Sequence, residues 1–122
     1  MGWLATGAIV AGSAVALGAF GAHGLKTRVA AELLAVFETG VRYQMYHGLG
    51  LLAVGLAAAR WGGAAIQLAG WLFLAGVALF SGTLYLMTWT GARWLGAVTP
   101  IGGLLLIAGW IVLAVGALRA GG

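Results

Sequence analysis

The chain of 122 residues contains no cysteine, no aspartate and no asparagine, and a single proline. Without cysteine there is no disulfide scaffold and no thiolate-ligated metal site. Charge is nearly as scarce. Only Lys26, Arg28, Arg42, Arg60, Arg93 and Arg119 are basic and only Glu32 and Glu38 acidic, 7% of the chain. A soluble domain carries about a quarter, so a water-facing surface cannot be covered. No intramembrane carboxylate pair exists, and Ser81 has no evident base and orienter beside it, so an enzyme is not expected. What the chain has in excess is apolar residues, 63% with mean hydropathy +1.09, and 23 glycines. That content also excludes a disordered chain.

The few charges divide the sequence. Residues 1–25, 43–59, 61–92 and 94–118 carry none. A membrane helix needs roughly 20 mostly apolar residues, and each gap suffices if Arg42 and Arg60 snorkel at the ends of the shortest. Spans are expected near 3–22, 42–60, 65–88 and 99–118. The apolar runs are continuous rather than alternating, which excludes a barrel. The first run has no basic n-region and is longer than a signal sequence, so it is read as a mature helix.

Basic residues in the connections set the expected orientation. Lys26, Arg28, Arg42 and Arg93 fall on one side, Arg60 and Arg119 on the other. The first group is placed in the cytoplasm, with both termini outside. The net charge of +4 is a topology signal with some pull on anionic lipid. Nothing resembles a basic stripe with interleaved aromatics, so no nucleic-acid partner is expected.

Segment 28–39 is too short and polar to span. Its phase suggests a short amphipathic helix in the interface, with Thr27 as N-cap and Arg28–Glu32 and Glu38–Arg42 as i,i+4 ion pairs. Gly40 would hinge it into span two; one long bent helix from 28 to 60 is the alternative. Residues 60–64 form a turn. Thr99 followed by Pro100 reads as an N-cap with proline at the first helical position. Trp3 and Trp61 suit one interfacial belt, Trp89 and Trp94 the other.

Small residues recur every seven positions: Gly7/Ala14/Gly21, Gly48/Gly55/Gly62 and Gly102/Gly109/Gly116. In lipid, such stripes let helices approach closely. The glycines at 18, 21 and 24 lack the strand–helix context of a nucleotide loop. The expected fold is all-α: an integral-membrane four-helix antiparallel bundle with a short interfacial helix between spans one and two, one transmembrane domain over residues 1–122.

Polar groups in a membrane have a partner or a task. Here they collect at one end: His23, Glu38, Arg42, Tyr43, Gln44, His47, Ser81, Tyr85, Thr88 and Thr99. The other half holds little beyond Thr6, Ser13 and Gln67. The candidate ligand-binding or polar cluster is His23, Glu38, Arg42, Tyr43, His47, Ser81, Tyr85 and Thr99, with a His47–Tyr85 hydrogen bond inside it. Three readings of His47 stand side by side: a satisfied packing residue, a ligand to haem, metal or a small molecule together with His23, and a proton-transfer group. Trp110 is read as packing or lipid contact.

The strings GAFGAHGL (18–25), FETGVRYQMYHGLGLL (37–52), FSGTLYL (80–86) and VTPIGGLLLIAGW (98–110) together resemble the small membrane-protein family catalogued as domain of unknown function 423. The resemblance covers nearly the whole chain in the same order. It implies a multi-pass protein of the bacterial inner membrane with no assigned activity and no catalytic residues to carry over. The function expected is structural, or the binding of lipid or a partner, with no cofactor and no metal. The alternatives are a small transporter or channel component working as an oligomer, and a haem or small-ligand protein using His23 and His47. Membrane lipid and a homo-oligomer are the partners to look for.

Overall fold

A computed structural model describes residues 2–121, and everything below refers to them. The chain there forms four long helices and no strand: α1 (Gly2–His23), α2 (Ala31–Arg60), α3 (Ala64–Thr90) and α4 (Thr99–Gly121). Single turns of 3₁₀ helix, Leu25–Thr27 and Arg93–Ala97, fill the first and last connections. Three segments are long and apolar enough to cross a membrane: Gly2–Thr27, Ala64–Thr90 and Arg93–Gly121. α2 is different because Glu32, Glu38 and Arg42 lie in its first half and Tyr43, Gln44, Tyr46, His47 and Arg60 make the rest less apolar. At 30 residues it measures about 45 Å, longer than a hydrocarbon core of about 30 Å.

The separate interfacial helix expected over 28–39 is not present. Arg28 and Val29 lie in the connection, and Ala31–Arg60 is one uninterrupted helix. This agrees with the alternative reading of one long helix. Thr27 therefore caps nothing; Ala30, in an extended conformation, stands at the N-cap position. Gly40 is not a hinge. A Cβ there would lie 2.8 Å from the Tyr85 ring, so the missing side chain makes room for α3 rather than for a bend.

Turn geometry explains the other breaks. Gly62 and Gly63 have φ of +72° and +98° and reverse the chain between α2 and α3. Gly91, at φ +71°, ends α3, its N–H donating to Met87 O at 2.7 Å. Left-handed backbone of this kind is accessible to glycine at little cost.

α2 and α3 form the centre, with α1 and α4 flanking them. Leu4 sits against Gly55, Gly7 against Gly48, and Gly21 against Phe37, so residue numbers rise on α1 as they fall on α2. Gly102 against Phe80, Gly109 against Phe73 and Gly116 against Ile66 repeat the pattern for α4 on α3. The heptad stripes thus mark real interfaces: α1 buries Gly7, Ala14 and Gly21, and α4 buries Gly102, Gly109 and Gly116 along with Thr99 and Leu106. Gly62 alone leaves its stripe, serving the turn. The apolar core runs between the central pair and α4, around Leu51, Val54, Ile66, Phe73, Val77 and Leu106. Close glycine contact gives these helices many dispersion contacts, which matter where lipid is as apolar as the side chains.

Candidate functional site: a side-opening cleft above a closed polar network

Polar side chains in the interior are joined in pairs and chains. Gln44, on the face of α2 shared with Gly48 and Gly55, is the hub. Its amide nitrogen donates to Val10 O at 3.1 Å and to Ser13 Oγ at 2.8 Å, and its carbonyl oxygen accepts from the Tyr85 hydroxyl at 2.6 Å. One side chain thereby ties α1, α2 and α3. Ser13 belongs to this network rather than to the sparse polar half. Ser81 donates to Gly40 O at 2.7 Å, a second α2–α3 tie. Thr83 and Thr99 lie 2.7 Å apart through their hydroxyls and join α3 to α4. Thr99 also donates to Leu95 O at 3.1 Å, so its hydroxyl points back into the preceding turn instead of capping α4. Every buried side-chain nitrogen or oxygen among the described residues has a partner, as burial in a low dielectric demands.

His47 does not meet Tyr85. Gly50 packs on Phe73 and Gly40 on Tyr85, and this register sets Tyr85 about two helical turns away from the level of His47. The imidazole instead lies between Tyr43 O, 2.7 Å from Nδ1, and the Trp110 indole nitrogen, 2.9 Å from Nε2. A carbonyl only accepts and an indole N–H only donates. His47 is therefore neutral with its proton on Nδ1, and both ring nitrogens are engaged.

The remaining expected residues scatter. His23 is exposed at the end of α1. From the α1–α2 pairing it lies about eight Å or more beyond the level of Arg42 and farther still from His47, so the two histidines do not converge. No group of three or more His, Cys, Asp or Glu comes together among the described residues. Glu38 and Arg42 do not pair: a guanidinium nitrogen of Arg42 donates to Thr39 Oγ1 at 3.3 Å. Arg28 cannot reach Glu32 along a helix because it precedes α2. Glu32 faces Arg93 across the connections at 3.9 Å, both strongly exposed, which places the two basic connections at one end of the molecule. At the opposite end the Trp3 indole donates to Gln67 at 2.8 Å.

Above the His47–Trp110 pair lies a cleft of about 600 Å³ between α2 and α4, lined by Tyr43, Tyr46, His47, Phe80, Gly103, Leu106, Ile107 and Trp110. It opens sideways, away from the bundle interior: Tyr46 is 51% and Ile107 58% exposed. Tyr43 packs on Phe80 with ring centroids 4.6 Å apart and on Tyr46 at 5.5 Å. Gly103, having no side chain, leaves the α4 wall low. The size and apolar lining suit a small-molecule or lipid site.

Residues 17–103 match the family described as "Protein of unknown function (DUF423)". The chain belongs to this family. It is similar to the UPF0382 membrane protein YwdK of Bacillus subtilis, 47% identical over 114 residues and 93% of each chain. It is likewise similar to the UPF0382 membrane protein SSP2132 of Staphylococcus saprophyticus, 46% identical over 93% of each chain. A UPF0382 membrane protein of Staphylococcus epidermidis is 46% identical over 118 residues. No solved structure matches. The family assignment and the three apolar segments make this a helical membrane protein.

Gln44, Thr83 and Trp110 carry connections that the expected cluster omits. The signal for Gln44 is in the sequence: it lies on the same helical face as Gly48 and Gly55, the face that a neighbour must cover. Trp110 offers only a polar edge in mid-span, with no periodicity to reveal its partner.

Proposed function

We propose that the protein is a four-span antiparallel bundle of the bacterial inner membrane, working without catalysis as a lipid-binding structural element. In this reading the C-terminal two thirds of α2 supply the fourth span, and residues 31–41 emerge through the interface. The connections holding Lys26, Arg28 and Arg93 face the cytoplasm, and the termini lie outside.

The observation that carries the reading is the division of labour among the polar groups. Gln44, Ser81, Tyr85, Thr83, Thr99 and His47 are all engaged with partners in the chain. Their task is to hold helices together. A feature not consumed by packing is the roomy α2–α4 cleft of about 600 Å³, which in this reading opens on the acyl region. A pocket facing lipid has lipid as its most abundant ligand.

Native mass spectrometry of the protein in mild detergent, with phospholipid added back, tests this. The expected spectrum shows a discrete lipid adduct that survives gentle activation. A chain that retains and takes up no lipid overturns the reading. The same spectrum gives the number of subunits.

A further inference from the structure

We propose that the α2–α4 cleft seats one anionic phospholipid, its phosphate on Arg42 and an acyl chain over His47 and Trp110. The proposal rests on the lipid-binding reading above and adds the position and the headgroup class.

The cleft has a polar mouth at one end only. Tyr43 packs on Phe80, and Phe80 packs on Gly102, so Tyr43 lies at the level of the first turn of α4. Arg42 precedes it and is one turn from Tyr46 on α2. Successive residues turn by about 100° on a helix. Thr39, Tyr43, Tyr46 and Gly50 therefore form one stripe along the cleft. Glu38 lies about 100° round from Thr39, outside the stripe, and Arg42 lies between the two. The guanidinium has turned to Thr39, on the cleft side, and makes no ion pair with Glu38. A cation thus stands beside Tyr46 at the edge of an apolar slot, with no ion pair to neutralise it.

A phosphodiester matches this pairing. Guanidinium binds phosphate oxygens through directed, charge-assisted hydrogen bonds. The first turn of α4 adds the positive end of a helix dipole at the same level. Below the mouth, Tyr46, Leu106, Ile107 and Trp110 present an apolar channel of the kind an acyl chain fills. A zwitterionic headgroup would bring an ammonium beside the Arg42 guanidinium and gain less, because like charges repel.

The test is competitive native mass spectrometry of the full chain in detergent, with equal amounts of phosphatidylglycerol and phosphatidylcholine of the same acyl length. Wild type is expected to retain phosphatidylglycerol preferentially. Arg42→Gln is expected to lower that preference about ten-fold, the scale of one charged hydrogen-bonding contact, with Arg42→Lys intermediate. Lys26→Gln, at the same end but outside the cleft, keeps it. Ile107→Trp, which fills the cleft from an exposed position, removes binding of both lipids, and thermal unfolding checks that each variant is folded. If Lys26→Gln and Arg42→Gln lower the preference equally, the attraction is a general surface charge and the proposal fails. If both lipids bind equally and Ile107→Trp removes them, lipid binding in the cleft stands and the anionic site falls. If no lipid binds to wild type, both readings fall.

Discussion

The Trp110 indole donates its N–H to Nε2 of His47 at 2.9 Å, joining α4 to α2 beneath the cleft. The imidazole proton then sits on Nδ1, directed at Tyr43 O 2.7 Å away. A histidine held in this way has no lone pair left for a metal, which sets it apart from a ligand awaiting its cofactor.

The pair is expected to be coupled energetically. Trp110→Phe leaves Nε2 without a donor, and His47→Leu leaves the indole without an acceptor. Hydrogen bonds between membrane helices contribute about 1 kcal/mol. Each single variant should lower the unfolding temperature in detergent, and a double-mutant cycle should return a coupling of about that size. A coupling indistinguishable from zero would show the contact to be incidental. Addition of hemin to wild type should give only the spectrum of unbound hemin.

Gln44 should matter more than any other interior polar side chain. Gln44→Leu strands the Tyr85 hydroxyl and removes the bonds to Ser13 Oγ and Val10 O at once, while Tyr85→Phe removes a single contact. The expected loss is about 1–2 kcal/mol for Gln44→Leu and less for Tyr85→Phe, read from thermal melts. Equal effects from the two variants would remove Gln44 from the centre of the network.

Glycines should divide into two classes by what faces them. A Cβ at Gly7 would lie 2.7 Å from Gly48 O and Leu52 N, and one at Gly102 would meet the backbone of Phe80. Backbone cannot rotate aside, so Gly7→Ala and Gly102→Ala should each cost about 1–3 kcal/mol. Gly12 has nothing within 4 Å. Gly12→Ala should be neutral or stabilising by up to about 1 kcal/mol, from helix propensity alone. A similar penalty at all three sites would contradict the interhelical contacts.

Orientation can be read directly because the chain has no cysteine. Single cysteines at Ala92 and at Ala64 should react with a membrane-impermeant maleimide from opposite sides of intact cells or vesicles. The expected result is Ala92 protected outside and Ala64, exposed at the start of α3, labelled there. The reverse pattern would invert the topology.

Most of the secondary structure was legible in the sequence, because it follows from where charge and glycine stand. Charge-free runs located the helices apart from the charged first half of α2, and the pair Gly62–Gly63 located the turn between α2 and α3. The small-residue heptads on α1 and α4 located their buried faces, since close approach is a property of the residue itself. Two readings failed for a common reason. Gly40 looked like a hinge and His47 looked like a partner for Tyr85, but both depend on how far α3 slides along α2. That register is set by Tyr85 over Gly40 and Phe73 against Gly50, contacts between residues far apart in the chain. The cleft was likewise invisible, because it requires two faces, one from α2 and one from α4. The hydroxyl of Thr99 took the shared bond with Thr83 in place of a cap, a choice available only once α3 was beside it.

The glycine contacts described above have a mechanical meaning. Along α1–α2 and α3–α4 the main chains themselves touch, so these seams resist both sliding and separation. A shift of one residue would drive a Cβ into a peptide group. The seam between α2 and α4 is of another kind: aromatic edges, one low wall at Gly103, and the tie from Trp110 to His47. Compliance is therefore concentrated at that one seam, while the ties from Ser81 to Gly40 O and from Tyr85 to Gln44 hold α3 against α2. Any widening of the slot has to come from side chains along α4 rather than from a shift of the central pair.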